Sequence, residues 1–504
     1  MRGRAQAVIL NTNDDKPPPN DTPASQERTS APATGVGPRA AHWVAVIMAA
    51  GQGTRMRSAL PKVAHPIAGR PLVRHVIEAA RAAGVDDCVV VVGPNATADA
   101  VRTAAGDGVR FAVQAQPLGT SDAVASAREA AADARYVLIM NGDVPLVLPA
   151  TLRRLMAAVE QRPPDGGATP DLALLTAEVP VEAYGFLEVA GDRVTAIVET
   201  KESDEVDRHA HVHINSGQYA VRAEWLWAQL PRIAPAPNGE RYLTQLAELA
   251  HAGGNAAMAV RASDANEVRG INDRVQLAEA EAVVRDRIRR AHMLAGVTIV
   301  DPASTFIDAD VRIGADTTIE PGTHLRGATS VGSGCVLGPG TNVRDSSIGD
   351  RCVVRYSTIE ESTLESDIDV GPYSHLRPKS HLCSGVHIGN FAEVKASRLG
   401  RGTKMGHFSY IGDAEVGEDV NIGAGTITAN YDGATKHRTT IGDGAFIGSD
   451  TMLVAPVRIG AGARTSAGSV VNRDVPDGMM AIGAPARIRA QADGAAGEEP
   501  EAGR

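Results

Sequence analysis

Large aromatic side chains are nearly missing from these 504 residues: phenylalanine, tryptophan and tyrosine together make up 3%. A chain of this length exceeds what one hydrophobic core supports, so two or three domains are expected, and most of the interior must close on aliphatic groups. A basic cluster is missing too. With 60 acidic against 50 basic residues and a net charge of −10, nucleic acid and anionic membrane are poor candidate partners. The four cysteines, Cys88, Cys335, Cys352 and Cys383, lack C-x-x-C spacing, which points to reduced thiols in a cytoplasmic protein and away from a disulfide scaffold or zinc site. No apolar run reaches membrane-spanning length. Near the start, AQAVIL is too short for a secretory segment and the Pro/Asp/Thr-rich tract after it cannot build a core; residues 1–41 are expected to be a disordered extension, as is the polar tail 491–504.

Glycine, by contrast, is abundant at 52 residues, and from Ile313 to Val471 an aliphatic residue recurs every six positions. Ile313, Ile319, Leu325, Val331, Leu337 and Val343 run without a slip, as do Leu364, Val370, Leu376, Leu382, Ile388 and Val394. Such a hexapeptide repeat winds into triangular coils of short parallel strands, with the aliphatic residue inside and small residues at the corners. The register slips by one residue after Val343, Val394 and Ile411 and each time recovers. Between Thr428 and Ile441 a polar stretch interrupts the repeat, and a break of that kind is where a binding loop is expected.

The region before the repeat reads differently. WVAVIMAAG from Trp43 is a buried strand ending in a glycine turn, and PLVRHVIEAARAAG is an amphipathic helix closed by Gly84. Further strands at 87–93, 110–115 and 136–143 alternate with helices, which argues a parallel α/β sheet covered on both faces. From Asp273 to Ala295 a long amphipathic helix leads into the solenoid. The expected organisation is therefore an α/β domain over 42–272, a linker helix over 273–296 and a β-helix over 297–490.

The first chemical constellation is AAGQGTRM at 49–56, followed by Leu60-Pro61-Lys62. Ala49, Gly51 and Gly53 let backbone N–H groups approach a phosphate, and Arg55 and Lys62 put two cations beside it. This segment resembles the signature of the sugar-1-phosphate nucleotidyltransferases, which implies a Rossmann-like domain. The same resemblance assigns Gln114, Gly119 and Thr120 to the uracil-reading segment, Gly185, Glu199 and Asn215 to the sugar, and Asp143 and Asn272 to a magnesium ion. Each of these residues alone reads as an ordinary cap or turn; their joint order along the chain outweighs that reading. Hard oxygen ligands of this kind suit magnesium when substrate phosphates fill its other positions.

With the solenoid attached, residues 43 to about 488 resemble the bacterial bifunctional N-acetylglucosamine-1-phosphate uridyltransferase/glucosamine-1-phosphate N-acetyltransferases. The resemblance implies a left-handed β-helix and a homotrimer. It also implies acetyl-CoA and UTP as co-substrates, and glucosamine-1-phosphate and N-acetylglucosamine-1-phosphate as substrates. HLRPKS carries Arg377, GNFAEVKASRLG carries Glu393 and Lys395, KMGHFSYIGD carries His407 and Tyr410, and VNIGAGTITANYDGATKHRT carries Asn421, Asn430, Tyr431 and Lys436. On this pattern His407 is the general base, since a group titrating near neutrality suits removal of an amine proton, and Glu393 orients it. Arg377, Lys395 and Lys436 hold the sugar phosphate, with Tyr410 and Asn421 completing that site. Asn430, Tyr431, Ser449 and Ala467 contact acetyl-CoA, with Asn430 also near the substrate amine.

Departures from the pattern cluster around the base and sugar. Ser121-Asp122-Ala123 replaces the usual G-H-A, Phe186-Leu187 follows Tyr184-Gly185, Asn141 precedes Gly142, and Arg241 and Gln245 flank Tyr242-Leu243-Thr244. They lead to an expectation of relaxed or shifted nucleotide and sugar preference. Ala484 stands where a CoA-contacting arginine is usual, leaving that contact weaker or assigned to Arg487. Two other readings stay open at this point: a nucleotidyltransferase of different sugar specificity whose β-helix only trimerises, and a non-catalytic regulator on the same modules.

Overall fold

In the computed structural model the described residues are 42–491, apart from 52, 95, 163–167, 181–185, 199–210 and 256. The extension 1–41 and the tail beyond Gln491 lie outside them, as do Gly185 and Glu199.

The N-terminal domain is built on one nine-stranded sheet. Its strands are β1 (Trp43–Met48), β2 (Asp87–Val92), β3 (Arg110–Val113), β4 (Tyr136–Asn141), β5 (Leu172–Pro180), β6 (Phe186–Ala190), β7 (Arg193–Val198), β8 (His211–Arg222) and β9 (Ala257–Arg261). In space they run β3-β2-β1-β4-β8-β5-β9-β7-β6. The first four are parallel, and the aliphatic runs of β1, β2 and β4 are buried on both faces, while β3 is a partly exposed edge strand. The expectation of a parallel sheet holds only for these four. β8 joins β4 and β5 antiparallel, and β6 and β7 form a hairpin, so the sheet is mixed. The reason is connectivity: antiparallel neighbours need no crossover helix, and the 172–261 stretch therefore shows no regular strand–helix alternation. The β8–β5 register shifts between Asn215 and Tyr219. An irregularity of that kind re-aims side chains, and here it brings Asn215 to the cleft described below.

Residues Arg274–Leu294 form a 21-residue helix, α1 of the connector, capped by Asp273, whose side chain accepts from Val275 N and Gln276 N. It is fastened on both sides. Arg287 donates to Leu146 O at 2.6 Å and Glu281 accepts from Ala68 N at 2.8 Å, while Arg289 donates to Pro302 O at 2.6 Å and Arg285 lies over the Phe306 ring.

From Thr298 onward the chain winds into a left-handed β-helix with three faces of twelve, ten and nine short strands. The aliphatic hexad residues form one continuous core; Leu325, Leu337, Val343, Leu376, Val394 and Ile447 are all fully buried. Stacked coils pair in parallel, so Leu325 faces Val343 and Val343 faces Ile359. The first step is 18 residues and the second 16, which is how the slips in register are absorbed: a shortened corner leaves the next strand in line. Buried hydroxyls line the corners. Thr323 donates to Glu320 O at 2.7 Å, Ser380 to Arg377 O at 2.7 Å and Thr426 to Gly423 O at 2.7 Å, so these buried hydroxyls find partners among the carbonyls of the turns. One coil is longer. Ile427 pairs with Met452, 25 positions on, and the excess forms the loop 430–438.

Leu376 touches core residues of the coils above and below, so Leu376→Ala should cost about 2–5 kcal/mol, read as a lowered denaturant midpoint of the β-helix transition.

Candidate active sites

A cleft opens at the carboxyl ends of β1 and β4, where each strand runs into a glycine-containing turn. It has two connected parts of about 390 and 670 Å³ that share Met48, Thr120, Asn141, Asp143 and Tyr242. Ala49, Gly51, Lys62, Gln114 and Gly119 line the larger part, and Arg55, Asn215 and Asn272 the smaller. Gly53 sits just outside. Its φ is +59°, and a Cβ there would collide with the Lys62 side chain, so only glycine turns the chain tightly enough to bring Arg55 and Lys62 together.

Between the two parts lies a cluster of cations and oxygens. The Lys62 ammonium contacts Asp143 Oδ2 and, at 3.2 Å, Asn272 Oδ1, which also accepts from Arg55 at 2.9 Å. Asp143 and Asn272 thus aim hard oxygens at a single cationic point, the arrangement a divalent ion asks of its ligands. The segment carrying Gly119 is strapped down: Arg241 N donates to Leu118 O at 2.8 Å, Ser121 N to Arg241 O at 3.1 Å, and Leu243 N to Thr120 Oγ1 at 2.9 Å. The sequence did not single out Tyr242 for its place on both parts of the cleft; its signal is the neighbouring leucine that docks on Thr120.

Two further groupings lie on the β-helix. At the second face and its far corner, Arg377 donates to Glu393 at 2.8 Å, Glu393 stands beside Tyr410 in the ladder, and Asn430 reaches Tyr410 Oη at 3.4 Å and the Asp413 carboxylate. Asp413 was missed from sequence, being one more Asp after a glycine. Lys395 and Lys436 meet here. The Lys395 amine pulls Lys436 below its ordinary lysine value, through direct contact and then through repulsion between the two charges. Lys436 is carried by the loop excursion, which a bridge between Tyr431 and Lys436 and the Asp432 carboxylate, bonded to Ala434 N, Thr435 N and His437, hold in shape.

At the corner between the first and second faces a groove of about 670 Å³ runs along the helix. His407, Asn421, Ser449 and Ala467 line it, with Ser449 and Ala467 at the same corner of successive coils. His407 is exposed, and among the described residues its ring has no hydrogen-bond partner. Arg464, its guanidinium over the Phe446 ring, adds a cation that sequence reading did not find; Arg487 does not line the groove. One assignment changes. Glu393 is paired with Arg377 in this chain and not with the His407 imidazole, because the ladder sets it opposite Tyr410. Asn430 and Tyr431 sit with the cationic cluster's loop and not on the groove, the former 8% exposed.

A MobA-like NTP transferase domain model matches residues 45–178, and the bacterial transferase hexapeptide model, six repeats, matches 310–345 and 438–473. The chain is 45% identical over 444 residues to the bifunctional protein GlmU of Brevibacillus brevis, covering 87% of this chain and 94% of that one. It is 46% identical over 441 residues to the same-named protein of Heliobacterium modesticaldum, covering 87% and 94%, and 46% identical over 444 residues to that of Trichlorobacter lovleyi, covering 87% and 95%.

The paired lysines make a signed prediction. Folding weakens the hold of Lys436 on its proton, so its charge opposes folding below the lowered pKa and that opposition fades as pH rises through it. Lys436→Met should therefore leave the melting temperature unchanged or raised at neutral pH. The same change should weaken binding of a sugar phosphate about tenfold or more, the effect of losing one charge-assisted hydrogen bond, as read by calorimetric titration.

Proposed function

Since the chain belongs to the bifunctional GlmU family, it makes UDP-N-acetylglucosamine by two transfers, and we propose how its sites divide them. The β-helix acetylates glucosamine-1-phosphate from acetyl-CoA, and the N-terminal cleft transfers a uridylyl group from UTP to the N-acetylglucosamine-1-phosphate so formed. The observation that carries this reading is that one chain supplies both sets of residues: Arg55, Lys62, Asp143 and Asn272 in the cleft, and on the β-helix His407 in a groove at one corner of the second face with the Arg377, Lys395 and Lys436 cluster toward its other corner. A solenoid that only trimerised would have no use for the second set.

In acetyl transfer, the sugar's amine attacks the thioester carbonyl while the free His407 ring nitrogen takes its proton, and the C–S bond breaks to release CoA as the leaving thiolate. Arg377, Lys395 and Lys436 hold the 1-phosphate; Glu393 keeps the Arg377 guanidinium in place. Ser449 and Ala467, being small, leave room for the pantetheine, and Arg464 offers a cation to the carrier's phosphates. In uridylyl transfer, a sugar-phosphate oxygen attacks the α-phosphorus of UTP in line and the bond to pyrophosphate breaks. Arg55 and Lys62 stabilise the departing charge, Gln114, Gly119 and Thr120 hold the base, and Asn215, with Glu199 and Gly185, the sugar. Asp143 and Asn272 would hold magnesium, which when bound neutralises triphosphate charge.

The working unit on this reading is a homotrimer. The phosphate cluster and the acyl groove lie at different corners of the second face, so packing a neighbour's groove against this chain's cluster completes the acetyl-transfer site. A column of exposed rings supports it. Tyr356, Tyr373 and Phe391 stack at 5.5 and 5.4 Å along the groove's corner, with Phe408 in the next coil, and Phe391 is 61% exposed. No helix of the described residues is long and apolar enough to cross a membrane, and we place the enzyme in the cytoplasm, where UTP and acetyl-CoA are made.

Supplying glucosamine-1-phosphate, acetyl-CoA, UTP and magnesium together, then omitting each in turn, should show product dependent on all four. His407→Ala should lose about 10²–10⁴ of acetyl transfer with uridylyl transfer nearly unchanged, and Arg55→Ala or Asp143→Ala the reverse, since the sites share no contacts. Retention of full acetyl transfer by His407→Ala would remove the base from this account. Phe391→Asp should break the trimer in light-scattering measurements and abolish acetyl transfer while sparing uridylyl transfer; a trimer that survives the change would remove the ring column from the interface.

A further inference from the structure

Gln114 is 6% exposed and lines the larger part of the N-terminal cleft. Both hydrogens of its carboxamide are used within the fold: Nε2 donates to Gly119 O at 3.1 Å and to Asp122 Oδ2 at 3.0 Å. The partners cannot drift. Gly119 has φ +110° and lies against the Arg241 backbone, and Asp122 belongs to the first turn of the helix Thr120–Ser126, whose start is tied to Leu243. With its nitrogen occupied, the only hydrogen-bonding atom Gln114 has left for a ligand is the oxygen, Oε1, which can accept and cannot donate. Asp122 itself does not line the cleft; it faces Gln114 from behind.

We propose that Asp122 is a positioning residue for base selection: by holding the Gln114 amide with its oxygen toward the ligand, it restricts the cleft to bases that present a ring N–H there, and so separates uracil from cytosine. This rests on reading the cleft as the uridylyl-transfer site. The chemistry is one atom wide. Uracil N3 carries a hydrogen and donates to Oε1. Cytosine N3 carries a lone pair, so two acceptors would face each other with neither satisfied. Rotating the amide to suit cytosine would break both bonds to Nε2 and bring Oε1 against Asp122 and Gly119 O, two further acceptors. The departure from the family's usual residue at 122, which in sequence suggested a loosened pocket, thus tightens one element of it.

The test is kinetic discrimination. The ratio of kcat/KM for UTP to that for CTP, followed by pyrophosphate release with N-acetylglucosamine-1-phosphate, is measured for the full-length enzyme, Asp122→Ala, Asp122→Ser and Asp122→Asn. Acetyl transfer and thermal unfolding of each variant report folding, and the serine variant serves if the alanine variant does not fold. The expected result is a fall of tenfold or more in the ratio for the alanine and serine variants, through improved use of CTP. The ratio for Asp122→Asn should stay within about threefold of the unaltered enzyme, because its amide oxygen accepts the same N–H. An unchanged ratio in Asp122→Ala or Asp122→Ser, or a fall in Asp122→Asn as large as in Asp122→Ala, overturns the positioning role while uridylyl transfer stands. No transfer from UTP by the unaltered enzyme would overturn the underlying reading of the cleft instead.

Discussion

Parallel stacking in register is the constraint on which the solenoid half depends. Every strand of a coil hydrogen-bonds the strand of the next, so a residue's height along the helix and the face it points from are both fixed by its position within the coil. A slip of one residue would turn Leu376 or Val394 outward and drive a polar neighbour into the core. The same rule sets the chemistry. Glu393 lies beside Tyr410 because their strands pair, and Ser449 and Ala467 line one groove because they occupy one corner of neighbouring coils. The site is a by-product of a ladder that would exist without it.

The N-terminal cleft follows a different logic, in which charge balance does what stacking does elsewhere. Arg55 and Lys62 are brought together by a turn that only Gly53 permits, and their mutual repulsion is offset by Asp143 and the Asn272 oxygen. Asn272 comes from the far end of the domain, immediately before the Asp273 cap of the connecting helix. The helix that joins the domains therefore also delivers a residue to the first site.

Much of this was legible in the sequence, for physical reasons that differ by element. The hexads stand out because one buried position in six is a short, strict period, and the 428–441 excursion because polar residues cannot occupy that period. The glycine loop is readable because backbone approach to a phosphate restricts residue type. The mixed sheet was not: regular alternation of strands and helices ends after the helix Pro149–Glu160, and β8, with His213, Asn215 and Gln218 on it, carries no periodic signal. Nor was the Arg377–Glu393 pair, whose 16-residue separation becomes contact only once coil length is known. Asp413 and Arg464 act through the same cross-coil adjacency, which no local window contains. Asp122 was noticed as a departure, yet its effect depends on which hydrogen of a buried amide it accepts.

The coil that runs from Ile427 to Met452 has a wider meaning. It carries the loop with Lys436 and still returns its strand to line, so the coils on either side continue undisturbed. A corner of this helix is thus a splice point: extra chain can enter and leave there at no expense to the ladder, because the ends of any insertion are already held one strand apart. Change in such an architecture is modular. New recognition elements can be grafted one corner at a time onto an unaltered core, and the length of the solenoid and the repertoire of its loops can vary independently.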